Sequence, residues 1–344
     1  MKNKNIVVLG AGAAGVIAAL TLKRLGYTPI VLHHGIFKPI PFLETIPSQS
    51  ISTFKKLGIE HLLLHPKHEK NFGQRYKWHQ QNWEERNSIY EPQGHGYTIH
   101  TQTMTEQLLA LLSDADIPVQ IHKVTATYLC KEKQIWTLTL DHQDKLSDID
   151  FIIDCTAKNN VLSKALDNEK CHIDQIFGCS LLIGFNTPHR LFQQSYAEKQ
   201  ASNWNFFLPY QQKYLYIQHF HQSPEQLKES ISSEIIQSFL EDHQINLSYS
   251  IVYKQNFSSE ISFHPTPAGE KYILAGDAAI SFNPISSYGR TLACGSGYYA
   301  AMACHEILLQ NQSTQAIESY QYLMMSHVQQ HLRQLEYLYE NIEI

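Results

Sequence analysis

The chain has 344 residues, 43% of them hydrophobic and 17% charged, with a formal net charge of −5. That length suits one large or two interleaved α/β domains with ample core, and the mildly acidic balance gives no electrostatic reason to expect nucleic acid or an anionic membrane as partner. Six cysteines with no CxxC spacing argue against a disulfide scaffold and for buried, reduced thiols in a cytoplasmic protein.

Ile6–Leu9 is a continuous apolar run of the buried parallel-strand kind. It begins too early to leave room for a signal peptide. Gly10-Ala11-Gly12-Ala13-Ala14-Gly15 follows directly, then a helical stretch through Leu25, a stop at Gly26 and a second strand, Thr28–Leu32. In this βαβ opening Gly10 makes the tight turn, Gly12 lets a diphosphate approach the backbone, and Gly15 lets helix and strand pack closely. The helix N-terminus then faces the phosphates with unpaired amides and a favourable dipole. The acid that usually ends the second strand and holds a ribose is missing. His33 stands there, an imidazole still able to hydrogen-bond a hydroxyl.

Further along, His61 and His65 have the i, i+4 spacing of one helical face, but no third ligand accompanies them and no metal site is expected. Thr103-Met104-Thr105-Glu106 reads as a capping box opening a helix through Leu112. Strands are expected at Val119–Val124, Thr125–Leu129 and Ile135–Leu140, with a polar turn at 141–145. Aromatic-rich strands are expected at Cys179–Phe185, Trp204–Pro209, Tyr214–Phe220 and Tyr249–Phe257.

A second glycine motif lies near the far end. The apolar strand Tyr272–Ala275 runs into Gly276-Asp277-Ala278-Ala279, then Phe282-Asn283-Pro284-Ile285-Ser286-Ser287-Tyr288-Gly289. A small-residue helix follows to Leu309, of a composition suited to a packed interior helix rather than a membrane span. A short acid just after a strand can hold polyol hydroxyls, and a glycine turn can present the next helix's amides to a developing negative charge. A tyrosine-rich helical tail, 314–339, is expected to pack back over this region.

Taken together, GAGAAG and GDAAISFNPISSYG resemble the motifs of the FAD-dependent aromatic hydroxylase and flavin-dependent halogenase superfamily. Glu44-Thr45-Ile46-Pro47 is similar to its flavin-contacting loop, FIIDCTAK at 151–158 to its DATG strand, and Trp204-Asn205-Phe206-Phe207-Leu208-Pro209 to the halogenase WxWxIP segment. The resemblance implies an α/β fold: a Rossmann-like FAD domain (1–50, 96–160, 265–310) interleaved with a smaller β-sheet substrate domain (51–95, 161–264) and a helical tail (311–344). It implies FAD held by Gly10, Gly12, Ala14, Gly15, His33, Gly276, Asp277, Pro284, Ser287 and Gly289. Lys70, Glu44 and Trp204 are the implied catalytic candidates. The sequence departs from the pattern at Ala157, Thr101 and Leu43, where relatives carry glycine, arginine and glycine.

No second GxGxxG appears, so electrons are expected from NAD(P)H docking transiently or from a separate flavin reductase. Little chain follows the motif helix, which suits a bulky substrate. The chain therefore looks most like the compact maturases of tryptophylquinone amine oxidases, which hydroxylate tryptophan within a partner protein through a flavin C4a-hydroperoxide. Two alternatives stand beside this: a flavin-dependent halogenase using Lys70, and a non-catalytic flavin-binding scaffold.

Overall fold

The computed structural model describes residues 4–35, 42–78, 82–130, 132–159, 161–166, 169–200, 203–221, 223, 233–309 and 313–339. At its centre is a six-stranded sheet in the order Ala268–Gly269, Tyr272–Leu274, Phe151–Asp154, Ile6–Leu9, Ile30–His33, Val119–Ile121. All but the first are parallel, with Val8 opposite both Ile153 and Val31. The strands are short and apolar because both faces are covered. Helices Ala13–Arg24 and Gly289–Leu309 pack together on this sheet with Thr101–Asp114. The first two approach closely because Gly297 carries no side chain: a Cβ there would lie 2.2 Å from the Ala14 carbonyl oxygen. Helix Ser313–Tyr339 lies on the motif helix, with Tyr320 Oη donating to Leu274 O at 2.8 Å and Met324 and Val328 buried.

An eight-stranded sheet forms the second layer. Its long members are Cys171–Phe185 and Tyr249–Phe263, antiparallel over their whole length, followed by Tyr214–His221 and Asn203–Tyr210. Each extends beyond its sequence-predicted span. Ser195–Gln200, Gly73–Lys77 and Glu84–Asn87 extend this sheet, and helix Ser233–Asp242 buries Ile236, Phe239 and Leu240 against its far face. None of these was expected; their polar composition hides the pattern. A small sheet, Leu43–Ile46 with Gly96–His100 and Glu69–Asn71, bridges the layers.

Several expectations need correction. The helix after the small sheet begins at Thr101, and its N-cap is His100, whose Nδ1 accepts from Thr103 N at 3.4 Å. Thr103 therefore lies inside the first turn and does not cap it. His61 and His65 do not share a helical face, because the segment is a short 3-10 turn, Glu60–Leu64, that ends before His65. The cysteines are all unpaired, yet Cys171 is exposed and Cys130 half-buried, so the thiols are not uniformly interior. No helix among the described residues is long and apolar enough to cross a membrane.

Candidate active site

The two glycine motifs meet at one cavity of about 440 Å³. Gly12 and Ala14 line it from the first helix, Gly276 and Asp277 from the turn after Tyr272–Leu274, and Pro284, Ser287 and Gly289 from the loop that opens the motif helix. Gly10 and Gly15 shape the cradle from behind. Gly10 has φ +94°, and a Cβ on it would meet the Cys155 carbonyl at 2.5 Å. Gly15 passes so close to Gly10 that its Cβ would lie 1.9 Å from the Gly10 oxygen.

Gly12 differs from both. It caps the first helix in an extended conformation, no side chain caps that terminus, and a Cβ there would meet nothing within 4 Å. The helix N-terminus thus opens onto free space, which fits a dinucleotide diphosphate. His33 stands at the end of the second strand, half-buried, and accepts a 3.0 Å hydrogen bond from Gly35 N. Burial, aided by His34, lowers its pKa toward the neutral imidazole, and it stands outside the cavity lining.

Glu44 enters the cavity from the small sheet, and its Oε2 accepts from Arg290 Nε at 2.7 Å. The Arg290 side chain is only 16% exposed and Glu44 44%. Burial works against the guanidinium, but Glu44 and more distant Asp277 outweigh it and hold Arg290 firmly charged. Arg290 was legible only as a helix start, so this cation escaped notice. Its signal was a basic residue in the first helical turn, where the dipole disfavours it unless an acid is supplied.

The large sheet closes the far wall with Phe206, Gln218 and Ser259. Trp204 is two residues short of it, stacked on Phe220 at 3.6 Å and 97% covered. Lys70 is exposed on the small sheet and lines neither this cavity nor the next. Its neighbour Asn71, pointing to the other face by strand alternation, is the residue that reaches inward. Ala157 lines the first cavity in the left-handed region, φ +53°, which favours glycine.

Neither a protein-family model nor a curated protein sequence matches the chain. Solved structures do. CmlS, a flavin-dependent halogenase, superposes with a TM-score of 0.82 at 18% identity, over 96% of this chain and 63% of that one. The myxobacterial chondrochloren halogenase CndH gives 0.84 at 15% identity, over 98% and 82%. QhpG, a peptidyl tryptophan dihydroxylase essential for tryptophylquinone cofactor biogenesis, gives 0.72 at 18%, over 96% and 73%. The fold is theirs. The chain spans a little under two thirds of the length of CmlS.

A second cavity, about 680 Å³, adjoins the first through shared walls at Thr45, Phe282 and Ser287. Its floor is the turn 45–50 and its sides include Asn71, Arg86, Ser88 and Glu91. Glu91 is fully engaged: Arg86 donates to Oε1 at 2.6 and 2.9 Å and Gln49 to Oε2 at 2.7 Å. Helix Ser313–Tyr339 supplies the remaining wall with His327, Gln330, His331 and Gln334. Reading the sequence placed this helix over the motif helix but missed its role as a cavity wall.

Proposed function

We propose that the chain is an FAD-dependent monooxygenase that hydroxylates a tryptophan-type aromatic side chain of a partner polypeptide. One observation carries the reading: a cavity lined by both glycine motifs abuts a larger polar one, the two sharing Thr45, Phe282 and Ser287 among the described residues. Gly12 and the first-helix amides take the diphosphate, Asp277 a polyol hydroxyl, and the amides opening helix Gly289–Leu309 the electron-rich end of the ring. When bound and reduced, FAD would supply the two electrons that activate O2, one oxygen atom of which goes to the substrate while the other leaves as water. Glu44 locks Arg290 so that its charge stays beside the cofactor end of the cavity. Phe206 and the Trp204–Phe220 stack behind it exclude water on the sheet side. The similarity to QhpG over 96% of this chain supports a peptidyl substrate. Electrons come from NAD(P)H or a flavin reductase.

The halogenase reading needs a lysine between cofactor and substrate, and Lys70 faces solvent. The deciding experiment incubates the FAD-loaded protein, a reductant and air with tryptophan-containing polypeptides and reads intact mass. A gain of one or two oxygen atoms supports the proposal. A gain that needs bromide or chloride selects the halogenase instead, and failure to retain or reduce FAD selects the scaffold.

A further inference from the structure

Two histidines of helix Ser313–Tyr339, His327 and His331, stand one turn apart in the wall of the second cavity. They interrupt the buried apolar stripe of Tyr320, Met324, Val328 and Leu335. Interrupting a core-facing stripe with imidazoles costs burial free energy, so each invites an explanation. His331 has a structural one. Its Nε2 accepts from Asn283 N at 3.0 Å and its ring stacks on Phe282 at 4.1 Å, which fixes the loop between the two cavities.

His327 has no such tie. Its contact among the described residues is a tilted ring approach to Tyr288 at 6.2 Å, and Tyr288 lines the same cavity. Across the cavity the charged groups are Arg86 and Glu91, which are bonded to each other. Tyr288 and His331 are the titratable neighbours on its own side.

We propose that His327 is the acid–base residue of the second cavity, accepting the ring N–H or O–H proton of an aromatic substrate. The electron pair of that bond stays on the ring, raising its nucleophilicity toward an incoming oxygen, and the proton ends on the imidazole. Burial lowers the pKa of His327, so the base form prevails at neutral pH. The neighbouring His331, pulled down to about 4, is neutral there as well and adds no repulsion. This inference rests on the second cavity receiving an aromatic ring, as the proposed function requires.

The test needs neither flavin nor oxygen, so its failure is separable from failure of the monooxygenase reading. The probe is 4-nitrophenol, whose anion is read by its visible absorbance. Bound to the full chain, it is expected to ionise with a roughly tenfold larger acid constant than in buffer, a one-unit pKa shift. In parallel the His327 ring resonance should move on titration with the probe. His327→Phe and His327→Asn should both abolish the shift in ionisation. If either folded variant ionises the probe as the wild type does, or the wild type neither binds nor shifts it, the proposal is overturned. Should neither variant fold, an unmoved His327 resonance in the wild type overturns it equally.

Discussion

The glycines separate packing from cofactor binding, and one substitution series exploits this. At Gly297 an added methyl would sit 2.2 Å from the Ala14 carbonyl, closer by about an ångström than carbon and oxygen tolerate, so the two central helices must part. Overpacking of this kind costs about 1–3 kcal/mol, against which alanine's better helix propensity returns ~1 kcal/mol. Gly297→Ala should therefore lose up to about 2 kcal/mol. Gly295, two residues earlier in the same helix, has nothing within 4 Å of its Cβ position, so Gly295→Ala should gain ~1 kcal/mol. Gly12→Ala is the informative member. Its backbone is extended, φ −74° and ψ −177°, and its Cβ meets no protein atom, so flavin-free stability should stay within about 0.5 kcal/mol. The methyl would instead occupy the space assigned to the diphosphate, lowering FAD affinity tenfold or more, about 1.4 kcal/mol. Urea denaturation of the flavin-free proteins and flavin-fluorescence titration check both halves. A Gly12→Ala protein that binds FAD as the wild type does would refute the placement of the diphosphate.

Three further outcomes follow from the same geometry. Glu44→Gln strips the charge partner from a guanidinium only 16% exposed; because Glu44 itself is 44% exposed, the loss should be about 1–2 kcal/mol rather than the ~3–5 of a fully buried pair, read as a lowered denaturation midpoint. Ala157→Gly should raise stability by up to ~1 kcal/mol in urea, since left-handed alanine is strained by about 1–2 kcal/mol while glycine's added unfolded freedom takes back roughly 0.4–1; an unchanged or lowered midpoint counts against strain there. Burial holds His219, His243, His264 and His331 down to about 4. The unfolded chain protonates them near 6.5, so it binds more protons than the fold, and stability is full above that pH and drains as pH falls toward 4. The slope is at most ~1.4 kcal/mol per unit for each histidine, and a flat denaturation midpoint from pH 7 to 5 would contradict it.

What was legible in the sequence depended on backbone economy. The nucleotide-type sheet could be read because its strands are buried on both faces and its turns demand glycine at φ values, such as +94° at Gly10, that few other residues adopt. The edge of the large sheet could not. Ser195–Gln200 and Gly73–Lys77 carry Glu198, Lys199, Gln74, Arg75 and Lys77, a composition that conceals a strand. Buried Glu198 is instead satisfied by Asn205 Nδ2 at 2.8 Å, its directly opposed partner on the neighbouring antiparallel strand. Lys70 was a catalytic candidate through the resemblance, but strand alternation turns it outward and Asn71 inward. A one-residue register decides such a matter, and a motif resemblance does not encode it.

The second cavity was hidden for a different reason: its walls are far apart in the chain. The lining draws on residues from 45–50, 71–74, 86–91, 96, 195, 282–288 and 327–334. A polar chain ties them together, since Glu91 holds Gln49, the adjacent Ser50 accepts from Thr291 Oγ1 at 2.8 Å, and Thr291 follows Arg290. Ser50 and Thr291 are 1% and 2% exposed, so this link is paid for in desolvated hydroxyls. It connects the Arg86–Glu91 wall of the larger cavity to the helix turn that carries the cation of the smaller one. Breaking it with Thr291→Val keeps the shape but orphans the Ser50 hydroxyl, at about 1–3 kcal/mol. If the two cavities act as one site, that substitution should weaken flavin binding and 4-nitrophenol binding together. Loss of one without the other would mean that the walls are built independently.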